Sequence, residues 1–417
     1  MNDNTPFARL YRTPASRRRM GYAALTLALG LLSGYATVLP VFRSMLQEYF
    51  GIGIERFGLL LSIGMVPGAV GGVVAGVAIA RWGPRAVLRF CLLGLGLGML
   101  VAAVGRWWQV MLLAVAIIAV FTQAVAIASP AFLVRLFPDR PRRMISLCLV
   151  ASGIGGIVFP LLAEWLLAVG VRGDRGTFAR ALHVPFLVVA AVFLLSIVAY
   201  RRGALPGSAL AQTKETGKGG WLRFAPGSLL LIALCSLHAA CDSSAYVWMP
   251  RVLESGSFSH VHFKPGHVLA TYSLAYVLSR YLLAVVPETL GRRVLLVLPG
   301  LVGGGLFVAA VLSRTQQITA AGYVAGAFCF SLEYPVMLAV LAEREKTHFA
   351  IALGLITLFS GILSFAMTGL MGWIGSVLGE ERLWSIVLLP SLGFPLVGLG
   401  GLVWLARFGR QASSCRE

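Results

Sequence analysis

Twelve long apolar stretches separated by mostly short polar loops constrain this chain more than any other feature. They run over 20–42, 57–80, 86–105, 108–133, 144–169, 181–200, 226–250, 265–287, 294–313, 316–341, 348–374 and 383–406. An α-helix rises about 1.5 Å per residue, so roughly 20 residues cross the hydrocarbon core of a bilayer. A spanning segment must satisfy its own backbone N–H and C=O groups, which a helix does. Of the 417 residues, 58% are apolar and 12% are charged; a soluble domain carries about 25% charged residues. The expected fold class is therefore an all-α membrane protein of twelve transmembrane helices. The first stretch follows Arg17, Arg18 and Arg19 as a signal peptide would. It runs too long for a signal core and meets no small-residue cleavage site, so it is read as a retained helix.

The net charge of +19 excludes little by itself. Nucleic-acid binders gather basic residues into one patch or stripe, whereas here they occupy short loops, so no nucleic-acid partner is expected. Cytoplasmic loops favour Lys and Arg. With the N-terminus inside, 24 of the 35 Lys and Arg fall on the cytoplasmic side, 10 on the other, and Arg280 lies within a helix. Both termini are thus expected in the cytoplasm of a multi-pass protein of the cell (inner) membrane. The expected organisation is a cytoplasmic N-tail (1–19), a six-helix bundle (20–200), a flexible polar linker (201–225), a second six-helix bundle (226–406) and a cytoplasmic C-tail (407–417). None of the six cysteines forms a CxxC pair and five lie in apolar stretches. Neither a disulfide framework nor a metal site is readable, and no cofactor is expected.

The two halves repeat. At an offset of 208 residues Gly83 meets Gly291, Arg85 meets Arg293, Ser152-Gly153-Ile154 meets Ser360-Gly361-Ile362, and Trp165 meets Trp373; at 205, Pro130 meets Pro335. Parallel six-helix repeats of this kind place a solute site near the midplane between the halves.

The loop after segment 2 carries Gly76, Ala80, Arg81, Gly83, Pro84 and Arg85; its repeat after segment 8 carries Ala284, Glu288, Gly291, Arg292 and Arg293. On these residues the chain resembles the major facilitator superfamily, whose signature here is Gly-x-x-x-Asp-Arg-x-Gly-Arg-Arg. The first copy has Ala80 for the Asp and Pro84 for an Arg; the second keeps the acid as Glu288. The resemblance implies that these loops control closure of the cytoplasmic side. The plainer alternative is that they are positive-inside loops only. Segment 2 also carries Gly64, Gly68, Gly72 and Gly76, and segment 11 carries Ser360, Ser364, Thr368 and Gly372. Small residues at every fourth position let helices approach closely, and the resemblance implies that segments 2 and 11 meet across the halves; packing within one half is the alternative. Segment 5 has Gly153, Gly155, Gly156 and Pro160 but not the Gly-Pro of many drug–proton antiporters.

A charge at membrane depth lines a cavity or has a partner. Four are found: Glu164, Asp242, Arg280 and Glu333. In unbroken helices Arg280 lies ~6 Å and Glu333 ~7 Å to the inner side of the midplane, and Asp242 ~6 Å to the outer side. An Arg280–Glu333 pair is therefore expected. His238, Asp242 and Tyr246 share one helix face, and a His–carboxylate pair facing a cavity exchanges a proton near neutral pH; a hydrogen-bonded structural histidine is the alternative. Arg280 stands four residues before Ala284, a spacing that resembles the monocarboxylate and oxalate–formate branches, where that Arg contacts the substrate carboxylate. A planar guanidinium grips a carboxylate bidentately. Where the monocarboxylate branch has an Asp four residues earlier, this chain has Tyr276. Arg135-Leu-Phe-Pro-Asp-Arg140 resembles cyanate-like organic-anion branches. His260, His262 and His267 are read as a solvated loop. The aromatic residues Trp165, Tyr246, Trp248 and Tyr272 are candidates to line a solute path.

The expectation is a secondary transporter, and not an enzyme, working by alternating access on a small organic solute, an organic anion moved with protons. The bilayer, the solute and protons are its partners, and it is expected to act as a monomer. Arg280, Tyr276, Tyr246 and Trp248 would bind solute, and Asp242, His238, Glu333 and Glu164 would carry the proton. The alternatives are a sugar or cationic-drug transporter, in which Asp242 and Glu333 contact solute, and a receptor that keeps the fold but does not transport.

Overall fold

The computed structural model describes residues 14–33, 35, 46, 49–52, 63–170, 175–201, 224–254, 265–286 and 291–409. Residues 1–13 and 410–417, most of the linker, Glu288 and the loop holding His260 and His262 lie outside them. The described helices are α1 (Pro14–Ser33), α2 (Met65–Trp82), α3 (Pro84–Val104), α4 (Trp108–Leu136), α5 (Pro141–Gly170), α6 (Arg175–Arg201), α7 (Ser228–Glu254), α8 (Pro265–Val285), α9 (Leu298–Leu312), α10 (Gln316–Phe330), α11 (Glu333–Arg344), α12 (Phe349–Leu378) and α13 (Leu388–Phe408). No strand occurs among the described residues. Eight spans are long and apolar enough to cross a membrane, and four shorter apolar stretches, Arg19–Leu32, Val66–Trp82, His183–Val198 and Leu269–Val285, supply the rest of the twelve. Phe90, Val104, Leu195, Phe365 and Leu396 are exposed apolar side chains on helix faces. In water such faces would be a liability; in lipid they are the solvated surface.

Three segments differ from the sequence reading. Segment 10 is two helices, α10 and α11, parted at Ser331–Leu332. Pro335 has no N–H to offer the carbonyl of Ser331, four residues back, so the helix ends and restarts there. Segment 9 begins with a separate turn, Arg292–Leu295, before α9 starts at Leu298 next to Pro299. Segment 12 enters through a 3₁₀ stretch, Glu380–Val387, and becomes α-helical at Leu388.

The repeat reappears as conformation. Gly83 and Gly291, matched at offset 208, both hold positive φ, 79° and 54°, a region that only glycine enters freely. Across the halves α2 packs on α12 and α5 packs on α8. The repeat carries segment 2 onto segment 8, so these two seams are equivalent. The expected stripe contact holds for part of its length. A Cβ on Gly76 would lie 2.5 Å from the Ala350 carbonyl oxygen, and one on Gly72 would lie 2.7 Å from Thr357. Gly64 and Gly68 instead face Ala119 and Gln123 of α4 in their own half. Thr368 bonds Ser244 of α7 at 3.2 Å, and Gly372 lies against Trp248.

Burial along the seam helices shows why the stripe divides. On α12, Phe349, Ala350, Ala352, Leu353 and Ile356 are buried, whereas no residue from Thr357 to Leu370 is. On α5, Ile145 and Cys148 are buried, and Val158, Leu161 and Trp165 are exposed. That half of α12 keeps its contact with α7, through Thr368, but is nowhere fully enclosed. The halves are therefore closed at the end that bears the α2–α3, α4–α5 and α11–α12 turns, and parted at the other.

Candidate functional site

The site grows from three helices of the second half. On α7, His238, Asp242 and Tyr246 are four residues apart, as are Tyr272, Tyr276 and Arg280 on α8, so each trio forms one stripe. Tyr323 and Phe330 come from α10. The Tyr272 hydroxyl donates to the Asp242 carboxylate. The Tyr272 ring stacks on Tyr323 at 4.3 Å between centroids, with Tyr276 at 4.8 Å and Tyr246 at 5.8 Å. Asp242 thus sits in a wall of four tyrosines, three from the other helices and one from its own.

Arg280 is half-buried, and its guanidinium lies 4.4 Å from the centroid of the Tyr276 ring. That cation–π contact is worth about 0.5–2 kcal/mol. It engages the face of the guanidinium and leaves the N–H edge for an acceptor. Among the described residues Arg280 makes no hydrogen bond or ion pair, and its Nε is buried without a partner. Val277, on the adjacent stripe, lies 2.8 Å from the Cβ position of Gly153 on α5. Arg280 therefore stands beside the boundary between the halves.

The expected Arg280–Glu333 pair is not formed. Glu333 is the first residue of α11 and is fully buried, and its Oε2 lies 3.5 Å from Nδ1 of His238, itself 2% exposed. Depth along the helices brings Glu333 and Arg280 to one level, but the Glu333 carboxylate faces His238 of α7 instead. His238 stacks on Tyr334 at 5.6 Å and meets Phe394 and Phe330 edge-on at 5.4 and 6.1 Å. A Cβ on Gly300 of α9 would lie 2.8 and 2.9 Å from the two Glu333 oxygens, so the carboxylate needs glycine there. His238 and Asp242 share a face but serve different partners, Glu333 and Tyr272. Trp248 packs on Gly372 of α12. Glu164 lies in α5, with its side chain outside the described residues.

Of the residues expected to control closure, Gly76 meets α12 as described. Arg85 is held inside its own half, donating to the Tyr200 carbonyl at 2.7 and 3.1 Å and to the Tyr22 hydroxyl at 3.1 Å. Arg81 and Arg293 are exposed, and the Arg292 side chain, like Glu288, is outside the described residues. The residue that bridges the halves here is not among those expected to control closure. Arg142, at the start of α5, is 1% exposed and donates from Nη2 to the Val286 carbonyl at the end of α8, 2.8 Å away. A buried arginine capping a helix C-terminus across the seam is a specific lock. Its only sequence signal is its place two residues after Arg140, in the turn facing α8.

A sequence model of the Major Facilitator Superfamily matches residues 23–263. No curated protein matches the chain in sequence. Among solved structures the fold is similar to the Escherichia coli fucose:proton symporter FucP. Identity is 15%, covering 93% of this chain and 99% of that one, with a TM-score of 0.75; one such FucP structure is in the outward conformation. It is also similar to the proton:xylose symporter XylE (14% identity, 94% and 96% covered, TM-score 0.70). A third similar structure is the human organic anion transporter MFSD10 (17%, 92% and 100%, TM-score 0.67). With its apolar spans, its two repeated halves and this match over more than half its length, the chain belongs to the Major Facilitator Superfamily of membrane transporters.

Proposed function

We propose that the protein is a secondary transporter that moves a small organic anion together with protons across the cytoplasmic membrane, its halves 20–200 and 226–406 rocking about a central site. The observation that carries the anion is Arg280: a half-buried guanidinium beside the seam, held by a ring face and making no hydrogen bond or ion pair among the described residues. A carboxylate would supply the missing acceptor and satisfy two N–H groups at once. Tyr276 orients the guanidinium, and Tyr246 extends the aromatic wall. Among the described residues, the buried His238–Glu333 pair and the Asp242–Tyr272 bond are two places to hold a proton inside the bundle, beside Glu164 on α5. With both termini cytoplasmic, as the loop charges favour, the closed end is the inner one and the structure is an outward-open state.

The test is proton flux in proteoliposomes, read with a pH dye and driven by organic acids, sugars or cations. Wild-type protein should respond to an organic acid, and Arg280→Ala should lose at least ~100-fold of that flux, about the 3 kcal/mol of a charge-assisted hydrogen bond. A response to sugars or cations alone, indifferent to Arg280, overturns the anion assignment and moves solute binding to Asp242.

A further inference from the structure

At the closed end a cavity of about 460 Å³ lies in the seam between the halves. Its floor is apolar and buried: Ile79 and Ala131 from the first half, Ala342, Phe349 and Ala350 from the second. Its rim carries exposed charge, Arg135 and Asp139 from the first half and Lys346 from the second. Among the described residues Arg135, Asp139 and Lys346 form no hydrogen bond or ion pair, whereas Glu343 has a partner. The free charges at the rim are thus two cations, one from each half, and one acid. The Arg135 guanidinium reaches toward the α2–α3 turn, 3.8 Å from the Cβ position of Gly83. Ala350, in the floor, is also the residue whose carbonyl meets Gly76. The cavity is therefore a direct continuation of the inter-half contact, and parting this end would pull its two walls away from each other.

We propose that this cavity is a second binding site, separate from Arg280, for an amphipathic monoanion: a carboxylate on a compact apolar body. The apolar body occupies the buried floor. The carboxylate lies between Arg135 and Lys346 and joins the halves through one anion. A ligand that binds only when this end is closed stabilises the closed end by the same factor as its affinity preference. The site therefore restrains transport when such an anion accumulates on the side this cavity faces. The choice of a carboxylate as feedback ligand rests on the anion reading above; the site itself rests on the cavity and its unpaired cations.

The experiment uses the full chain in nanodiscs with benzoate as the probe, and benzamide and benzylamine as neutral and cationic controls. Binding is measured by calorimetry in the Arg280→Ala background, which removes the central guanidinium. The expected result is one benzoate site per chain, no binding of the controls, and at least tenfold weaker binding in Arg135→Gln and in Lys346→Gln. Arg135→Lys should restore affinity, which distinguishes lost charge from lost folding. Loss of all benzoate binding with Arg280→Ala, or undiminished binding in the Arg135→Gln, Lys346→Gln double variant, overturns the second site. If wild-type protein moves no organic acid yet the Arg280→Ala protein binds benzoate through Arg135 and Lys346, the transport reading fails and the seam site stands.

Discussion

Glu333 shows that sharing a depth in the membrane does not choose a residue's partner. A fully buried carboxylate is costly unless it is paired or neutralised, and its neighbour at ion-pair distance is the His238 imidazole. Neither oxygen of Glu333 nor either ring nitrogen of His238 has a hydrogen-bond partner among the described residues. One proton can therefore be taken up or released by this pair with no other polar group to compensate. Glu333→Gln keeps the shape and removes the titrating group. The expected outcome is solute exchange between identical solutions at a rate within a few-fold of wild type, with solute-driven proton flux lost. Retained proton flux would assign coupling to Asp242 and Tyr272. Arg142 makes a second case at this scale. Its hydrogen bond to Val286 is charge-assisted and worth about 1.5–3 kcal/mol, so Arg142→Ala should shift the balance away from the closed state by tenfold or more. Faster labelling of a cysteine introduced in the α5–α8 seam, by a reagent applied from the closed side, would report it.

Among the elements, the α2–α12 seam explains what the glycine row does. Of the row, Gly72 and Gly76 meet the other half, while Gly64 and Gly68 pack on α4. The row is thus a short contact at one end, around which the rest of the two helices can separate. Gly76→Val would place a β-carbon about where the Ala350 carbonyl oxygen now sits, 2.5 Å away, and neither partner is a flexible side-chain tip. The closed end should fail to close. Expected are transport reduced to background and a spin-label distance across the open end shortened relative to wild type. Wild-type distances and activity would show that the backbones yield without cost. The break between α10 and α11 belongs to this scale as well. Pro335 and Pro130 occupy matching places in the two repeats, yet α4 runs unbroken from Trp108 to Leu136 with Pro130 inside it. The same residue type stands inside one helix and follows a break in the other, because neighbouring helices decide whether the freed carbonyl can be accommodated.

For the whole molecule, the sequence by itself determined the solvent and the number of spans. Twelve apolar spans, the charge bias of their loops and the offset-208 repeat were legible because each depends on local composition or spacing: a helix must be apolar to enter lipid, and a repeated turn needs its glycine twice. Gly83 and Gly291 show this most directly, their positive φ following from residue type and place. Asp242 and Arg280 were legible as candidates for the same reason, a charge at membrane depth being informative alone. What the tertiary structure decided was who meets whom. Glu333 turned to His238 instead of Arg280, Arg85 stayed within its half, Arg142 became the bridge, and a cavity opened between Arg135 and Lys346. Each of these depends on a helix break or on the approach of two helices distant in sequence. No periodicity records such an approach, because it is set by how whole halves settle against each other.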